Sequence, residues 1–498
     1  MFILNKVSKE YAEKMLFENV DLTIFDGEKI GIVGKNGSGK STFLNLLAGG
    51  IKADSGSISC NKTVAYVKQS FAEFGCEDIS KMGSDYEIFK YASNLKLNQL
   101  QLCDNFQNLS GGEKAKLMIS VALSKKCDVL LLDEPTNNLD LKSIEWLIKT
   151  INSFNGTVII VSHDRYFLNQ TVNKIIELEN GKLTEFYGNY DNYECQKQEK
   201  LEYDKKVYDS KVKQNKKLEK QVAFLNNLTN KIERTTKRDG SADRRSKGYK
   251  NSVQMKVKKV ARQAEAKKNR LEKLKQDLGE KPFSEREIFY RISASENFNR
   301  VIISLTNVTK KFGQKTIFEN ANFELLSGDK IAILGDNGSG KTTLIKMILG
   351  KEKFDGELKL SLKLKLAYLQ QNDFVLSNNQ EDTVFELANE FDGEYRTQFL
   401  TNLCNMGLSK QIFDKKVKWL SAGEKLKMKL NQLILSDFNL LILDEPTNNL
   451  DLANKIFLEK VLKNYQGNLI IVSHDKTLIN NVCNKKYLIN NHQLNLVS

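Results

Sequence analysis

Short, unbroken apolar runs recur at matching places in the two halves of the chain: Val129 to Leu132 and Val158 to Val161 in the first, Leu440 to Leu443 and Leu469 to Val472 in the second. They predict buried strands over 128–132, 157–161, 439–443 and 468–472. A further apolar strand in each half, Ile30 to Val33 and Ile331 to Leu334, runs into a glycine-rich turn and then a helix. Strands alternating with helices predict a mostly parallel α/β sheet in each half. Between the halves the period changes. Val253, Val257, Val260, Ala264, Leu271, Leu274 and Leu278 follow a 4-3 spacing broken at Lys267, and Leu218, Val222, Leu225 and Ile232 follow the same spacing upstream. This predicts two helices zipped antiparallel, each of about 30 residues and roughly 45 Å long at 1.5 Å per residue. Between them, Arg234 to Lys250 forms a basic tip that contains glycine.

The halves are copies of one unit. Residues 28–42 return in similar form as 329–343, and the nonapeptide Leu132 to Asp140 returns unchanged as Leu443 to Asp451. The chain has three prolines and three histidines, yet Pro135 and Pro446, and His163 and His474, fall at equivalent places, which chance composition would not produce. A length of 498 residues accommodates three domains, with boundaries expected at 1–192, 193–298 for the helical hairpin, and 299–498.

Charge changes this picture by its position. The net charge is +14, and residues 191–300 hold 30 Lys and Arg against 17 Asp and Glu, which leaves the rest of the chain nearly neutral. A positive field concentrated on one element is the electrostatic footprint of a polyphosphate partner. No apolar run approaches the ~20 residues that cross a bilayer. Met1 to Lys6 lacks a basic region followed by an apolar core, so the expected location is the cytoplasm. The seven cysteines are scattered without a Cys-x-x-Cys pair, which points away from a disulfide framework and from a zinc or iron–sulfur site.

Each copy carries the parts for nucleotide chemistry. Gly34 to Ser41 and Gly335 to Thr342 are P-loops between a strand and a helix. Gly34, Asn36, Gly37 and Gly39, with Gly335, Asn337, Gly338 and Gly340, let backbone N–H groups wrap phosphates. Lys40 and Lys341 reach the β- and γ-phosphates, Ser41 and Thr342 are candidate Mg²⁺ ligands, and Thr42 and Thr343 follow at the helix start. Asp133 and Asp444 end buried strands and suit the metal's surroundings. Glu134 and Glu445 follow them and are the candidates to orient or deprotonate the attacking water.

These residues resemble those of the ATP-binding-cassette (ABC) ATPases. Ser110, Gly111 and Gly112, and Ser421 and Gly423, look like the family's signature loops, which contact ATP from the opposite module. Gln69 and Gln371 resemble its Q-loop residues and, with the metal, would join Ser41, Asp133, Thr342 and Asp444. His163 and His474 resemble the switch histidines that touch the γ-phosphate. Tyr11 and Phe312, each 23 residues before the first glycine of its P-loop, stand where the family stacks an aromatic on adenine. The resemblance implies two ATP sites at a head-to-tail interface: Lys40, Glu134 and His163 with Ser421 and Gly423, and Lys341, Glu445 and His474 with Ser110 and Gly112. Both are expected to hydrolyse ATP. Ala422 stands where the first copy has Gly111, adding a methyl but keeping the N–H.

Two cassettes, no membrane span and a helical linker opening with Tyr187-Gly188-Asn189-Tyr190 resemble the ABC-F proteins, which bind the ribosome's exit site and point this linker at the peptidyl-transferase centre. The tip residues Lys237, Arg238, Arg244, Arg245, Lys247 and Lys250 suit phosphate, and Tyr249 suits base stacking. The implied partners are the bacterial ribosome, its 23S rRNA and P-site tRNA, for a chain that is a monomer with its two modules paired. Gln69 to Ser110 spans 41 residues against 50 for Gln371 to Ser421, which leaves no room for an added arm in the first module. A short first module together with a long linker is similar to the antibiotic-resistance (Lsa/Vga-type) members, which protect ribosomes from lincosamides, pleuromutilins and streptogramin A. Alternatives are a housekeeping ABC-F factor that relieves stalled peptidyl transfer and the ATPase subunit of an ABC transporter.

Overall fold

The computed structural model describes residues 1–11, 14–68, 111–124, 127–137, 139–238, 247–276, 301–370, 381–448 and 450–497. They fall into two compact units, one of Met1–Tyr193 with Arg286–Ser498 and one of Glu194–Glu285.

In the first unit each half builds two sheets. The strands of the first half are β1 (Phe2–Tyr11), β2 (Lys14–Ile24), β3 (Lys29–Val33), β4 (Ser55–Cys60), β5 (Val64–Val67), β6 (Val129–Asp133), β7 (Thr157–Val161), β8 (Lys174–Glu179) and β9 (Lys182–Tyr187). Those of the second are β10 (Val301–Phe312), β11 (Lys315–Leu326), β12 (Lys330–Gly335), β13 (Asp355–Leu360), β14 (Leu366–Leu369), β15 (Leu440–Asp444), β16 (Asn468–Val472), β17 (Lys485–Asn490) and β18 (Gln493–Val497). The sheet orders are β5-β6-β7-β3-β8-β9 with β2-β1-β4, and β14-β15-β16-β12-β17-β18 with β11-β10-β13. The large sheets are parallel except for their last hairpin. Two of the four apolar runs become strands one residue later than the sequence suggested, because the aspartates at their ends stay in the ladder as Asp133↔Val161 and Asp444↔Val472.

Those runs are apolar at every position because both faces are covered. Along β6 and β7, Val129, Leu131, Ile159 and Val161 point into one core with the helix Lys40–Leu47 and the small antiparallel sheet. Leu130, Leu132, Val158 and Ile160 alternate into the other, under the helices Gly111–Ser124 and Leu141–Ser153. The second half repeats this with Leu440, Ile442, Ile470 and Val472 on one side and Leu441, Leu443, Leu469 and Ile471 on the other. Burying each such side chain contributes about 1.5–3 kcal/mol. The halves also share a core: Leu452 and Ile456 of the second pack against the first half's buried cluster.

The second unit is built from two helices, the first of which begins at Tyr190, within the first unit. The first helix, Tyr190–Arg238, has 49 residues, and the second, Lys247–Gln276, has 30. At 1.5 Å per residue these reach about 73 and 45 Å, so the first is longer than its apolar seam suggested. Leu218, Ala264 and Leu271 are buried in the seam. Lys267, which breaks the spacing, donates to Gln221 Oε1 on the facing helix at 2.8 Å. Lys275 pairs with Glu219 at 2.7 Å, so residue numbers rise on one helix as they fall on the other. Lys237 and Arg238 end the first helix, and Lys247, Tyr249 and Lys250 open the second; Arg244 and Arg245 lie outside the described residues. Among the described residues no helix is long and apolar enough to cross a membrane.

Candidate functional site

The carboxyl ends of parallel strands are where α/β sheets present their chemistry. After β3 the chain turns through Gly37 (φ 74°) and Gly39 (φ 100°) into the helix Lys40–Leu47; after β12 it turns through Gly338 (φ 75°) and Gly340 (φ 107°) into Lys341–Ile348. These left-handed conformations favour glycine. A Cβ on Gly340 would also stand 2.5 Å from Ile317 Cγ2, and one on Gly34 would stand 2.5 Å from the Leu178 carbonyl oxygen. Gly335 opens the second loop at φ 157°.

Inside each loop the lysine is held. Lys40 Nζ donates to the carbonyls of Gly34 at 2.8 Å and Lys35 at 3.0 Å, and Lys341 Nζ donates to those of Gly335 at 2.9 Å and Asp336 at 3.1 Å. Burial pushes both ammonium groups below the usual lysine range, opposed by nearby Glu134, Asp451 and Asp133 at one loop and by Glu445 and Asp444 at the other.

Thr342 Oγ1 donates to Asp444 Oδ2 at 3.0 Å, and Ser41 hydrogen-bonds Asp133 in the same way. Tyr66 OH adds a 3.4 Å bond to Asp133 Oδ2, while Asp133 Oδ1 is buried without a hydrogen-bond partner. Burial raises both aspartate carboxyls above the usual range. A hydroxyl beside a carboxylate that has a spare buried oxygen suits a hard, oxygen-seeking cation held jointly with phosphate. Among the described residues, no group of three or more His, Cys, Asp or Glu offers a protein-only metal site.

Glu134 and Glu445 each sit at φ 49°, a left-handed backbone that costs a non-glycine residue about 1–3 kcal/mol. Their N–H groups donate to the Val161 and Val472 carbonyls at 2.8 Å, which pins them to the neighbouring strand. Their carboxylates lie 3.5 Å from His163 Nε2 and 3.3 Å from His474 Nε2. Burial pushes both glutamates up to about 7 and pushes His163 down to about 3 and His474 to about 4. Near neutrality the imidazoles are uncharged, and each carboxylate is poised to exchange a proton.

Both loops, both Asp-Glu pairs and both histidines line one cavity of about 800 Å³. Asn36, Ser41 and Thr42 line it, as do Asn337, Thr342 and Thr343. Other residues singled out in the sequence stand apart from that lining. Tyr11 and Phe312 are exposed at the ends of β1 and β10, with Lys310 Nζ 4.6 Å from the Phe312 ring centre. Ser421 caps the helix Ala422–Ile434, and a Cβ on Gly423 would lie 1.9 Å from Asn454 Nδ2. Gly111 and Gly112 begin the helix Gly111–Ser124, whereas Gln69, Ser110 and Gln371 fall outside the described residues.

The sequence reading missed the groups that reach across the halves. Asn36 N–H points at Asp451 Oδ2, 3.4 Å away, and Lys455 Nζ donates to the His163 carbonyl at 3.0 Å. Asp451 was visible as the last residue of the repeated nonapeptide; Lys455 lies beyond it, where the copies diverge.

Comparison with known proteins agrees with this geometry. The family model for the ABC transporter domain matches residues 17–137 and 318–448. The ribosome protection protein VmlR of Bacillus subtilis is 36% identical over 98% of this chain and 86% of its own length. The ATP-binding protein Uup of Buchnera aphidicola is 31% identical over 97% and 79%, and ABC transporter F family member 5 of Arabidopsis thaliana is 31% identical over 97% and 74%. Among solved structures, the RNase-L inhibitor shares the fold with a TM-score of 0.63 at 19% identity, covering 98% of this chain and 87% of that one. The chain belongs to the ABC-F family of ABC ATPases, a single polypeptide with two ABC domains that bind and hydrolyse ATP.

Proposed function

We propose that this chain binds the bacterial ribosome with ATP and protects the peptidyl-transferase centre from antibiotics of the lincosamide, pleuromutilin or streptogramin A type. The observation that carries this reading is the full-length similarity to a ribosome protection protein, which extends through the cationic two-helix unit Glu194–Glu285 as well as the ATPase halves. In this reading residues 1–192 and 299–498 are the ABC domains and 193–298 the linker. The linker's basic end enters the exit site among 23S rRNA and P-site tRNA, and the drug is displaced without needing direct contact. Such a protein works in the cytoplasm.

The catalytic roles are part of the same proposal, and the shared cavity with its two Glu-His pairs supports them. Lys40 and Lys341, with the loop N–H groups, hold the ATP phosphates. Glu134 and Glu445 orient the attacking water and take its proton, while His163 and His474, neutral and within reach of those carboxylates, orient the γ-phosphate. Tyr11 and Phe312, exposed at strand ends, stack adenine. Ser110, Gly111 and Gly112, and Ser421 and Gly423, contact the nucleotide held by the opposite half. Ser41 with Asp133, and Thr342 with Asp444, joined by Gln69 and Gln371, would hold Mg²⁺. When bound, the ion neutralises phosphate charge.

A housekeeping translation factor is the second reading, kept open because Uup and the probable ATP-binding protein YbiT of Escherichia coli, 30% identical over 97% of this chain, are named for ATP binding and not for ribosome protection. Cell-free bacterial translation inhibited by a lincosamide or a pleuromutilin separates the two. Restored synthesis on adding the purified protein with ATP is the expected result. Ribosome pelleting without restoration against any of the three drug classes would favour the housekeeping role.

A further inference from the structure

The two copies part company where the second half's helix Leu452–Asn464 meets the first half. Lys455 Nζ donates to the His163 carbonyl oxygen at 3.0 Å. One turn on, Glu459 pairs with the Arg165 guanidinium and accepts from Asn481 Nδ2 at 2.6 Å. The offset that superposes the two nonapeptides places Ile144 and Ile148 opposite Lys455 and Glu459. Both isoleucines are buried in the apolar cluster that also takes Leu452 and Ile456 of the second half, and isoleucine has no donor to offer the His474 carbonyl. At the reciprocal boundary the cations go elsewhere: Lys476 pairs with Glu145 at 2.7 Å, and Lys142 pairs with Asp336 at 2.8 Å. Lys455 also lines the cavity, where its charge joins that of Lys40 in countering the burial of Glu134; Glu445 has the equivalent P-loop lysine, Lys341, without a second cation from the other half.

We propose that Lys455 is a positioning residue for the first ATP site alone: from the second half it anchors the His163 backbone and sets a cation beside Glu134, making the two ATP sites unequal. The inference rests on reading Glu134 and His163 as the first site's catalytic pair. A positive charge in a low-dielectric pocket favours the more highly charged nucleotide, so the first site holds ATP over ADP more strongly than the second does. It also makes the first site's competence depend on contact with the second half.

The test uses the full-length chain in two backgrounds, Glu445→Gln, which keeps the first site's carboxylate, and Glu134→Gln, which keeps the second's. Lys455→Met retains the alkyl stem and removes the charge, and a thermal melt checks that it folds. The expected loss of kcat/KM for ATP is about tenfold larger in the Glu445→Gln background than in the Glu134→Gln background, with Lys455→Arg recovering most of it. Equal loss in both backgrounds, or none, overturns the proposal. If neither single-glutamine chain turns over, equilibrium dialysis of ATP against the Glu134→Gln/Glu445→Gln chain decides. Two unequal affinities that converge on adding Lys455→Met support the proposal, and equal affinities with Lys455 present overturn it. Wild-type turnover in the doubly substituted chain would instead sink the underlying assignment of the glutamates.

Discussion

Glu134 and Glu445 are expensive residues to keep. Each combines a left-handed backbone with a carboxylate that burial has pushed from 4.5 up to about 7. The sign of the pH effect follows: folding favours the protonated form, so stability is full below the unfolded value near 4.5, is lost as pH rises toward about 7, and stays lost above it. Replacing both with Gln removes that penalty. We expect the Glu134→Gln/Glu445→Gln chain, without nucleotide, to melt well above wild type at pH 8 and close to it at pH 5. The same change removes the proton acceptors and should lower steady-state ATPase activity by about 10²–10⁴-fold. Wild-type turnover should rise as pH passes through about 7 and the carboxylates ionise, which a pH–rate profile measures. An equal melting difference at both pH values would show that these carboxylates are not strained in this way.

At the scale of elements, the two-helix unit carries one irregularity with a measurable consequence. Lys267 sits in the apolar seam and satisfies Gln221 across it, a polar pair in a row otherwise made by residues such as Leu218, Ala264 and Leu271. Leu271→Ala removes a buried side chain and is expected to cost the unit about 2 kcal/mol or more. Lys267→Leu together with Gln221→Leu fills the seam and should protect it. Hydrogen exchange of amides in 194–285 reads both: faster in the first variant, slower in the second. This seam also marks how far the sequence could be read. Strands such as β6 and β15 were legible within one residue, since burial on both faces leaves no polar position to blur the edge. The P-loops and Asp-Glu pairs were legible because their chemistry admits few residue types. The first helix is longer than its seam suggests because residues 194–217 place only Leu201, Tyr208 and Val212 on a 4-3 spacing, and a helix solvated on most faces leaves a sparse pattern. Lys455 escaped for a different reason. The repeat was read for what its copies share, and this residue matters because Ile144 differs from it.

Across the whole molecule, charge is divided as sharply as fold. Residues 191–300 carry nearly all the excess positive charge, while the ATPase halves are close to neutral and spend their cations on internal pairs such as Lys174 with Glu185 and Lys485 with Asp329. Binding driven by the linker therefore has a salt signature that binding driven by the ATPase halves lacks. Deleting 236–248 removes Lys237, Arg238, Arg244, Arg245 and Lys247. If four of these cations meet RNA phosphates, then at about 0.7 released counterions per phosphate the slope of log affinity against log salt flattens by about 3. The shortened chain should keep its ATPase activity, since both P-loops and both Asp-Glu pairs line a cavity built wholly within the other unit. It should also lose drug rescue in cell-free translation. Ribosome pelleting with ATP across a salt series gives the slope, with the Glu134→Gln/Glu445→Gln substitutions added to both chains to slow release. An unchanged slope with rescue lost would move the phosphate contacts off the tip and onto the helices' flanks, where Lys258, Lys259 and Arg262 would be the next cations to remove.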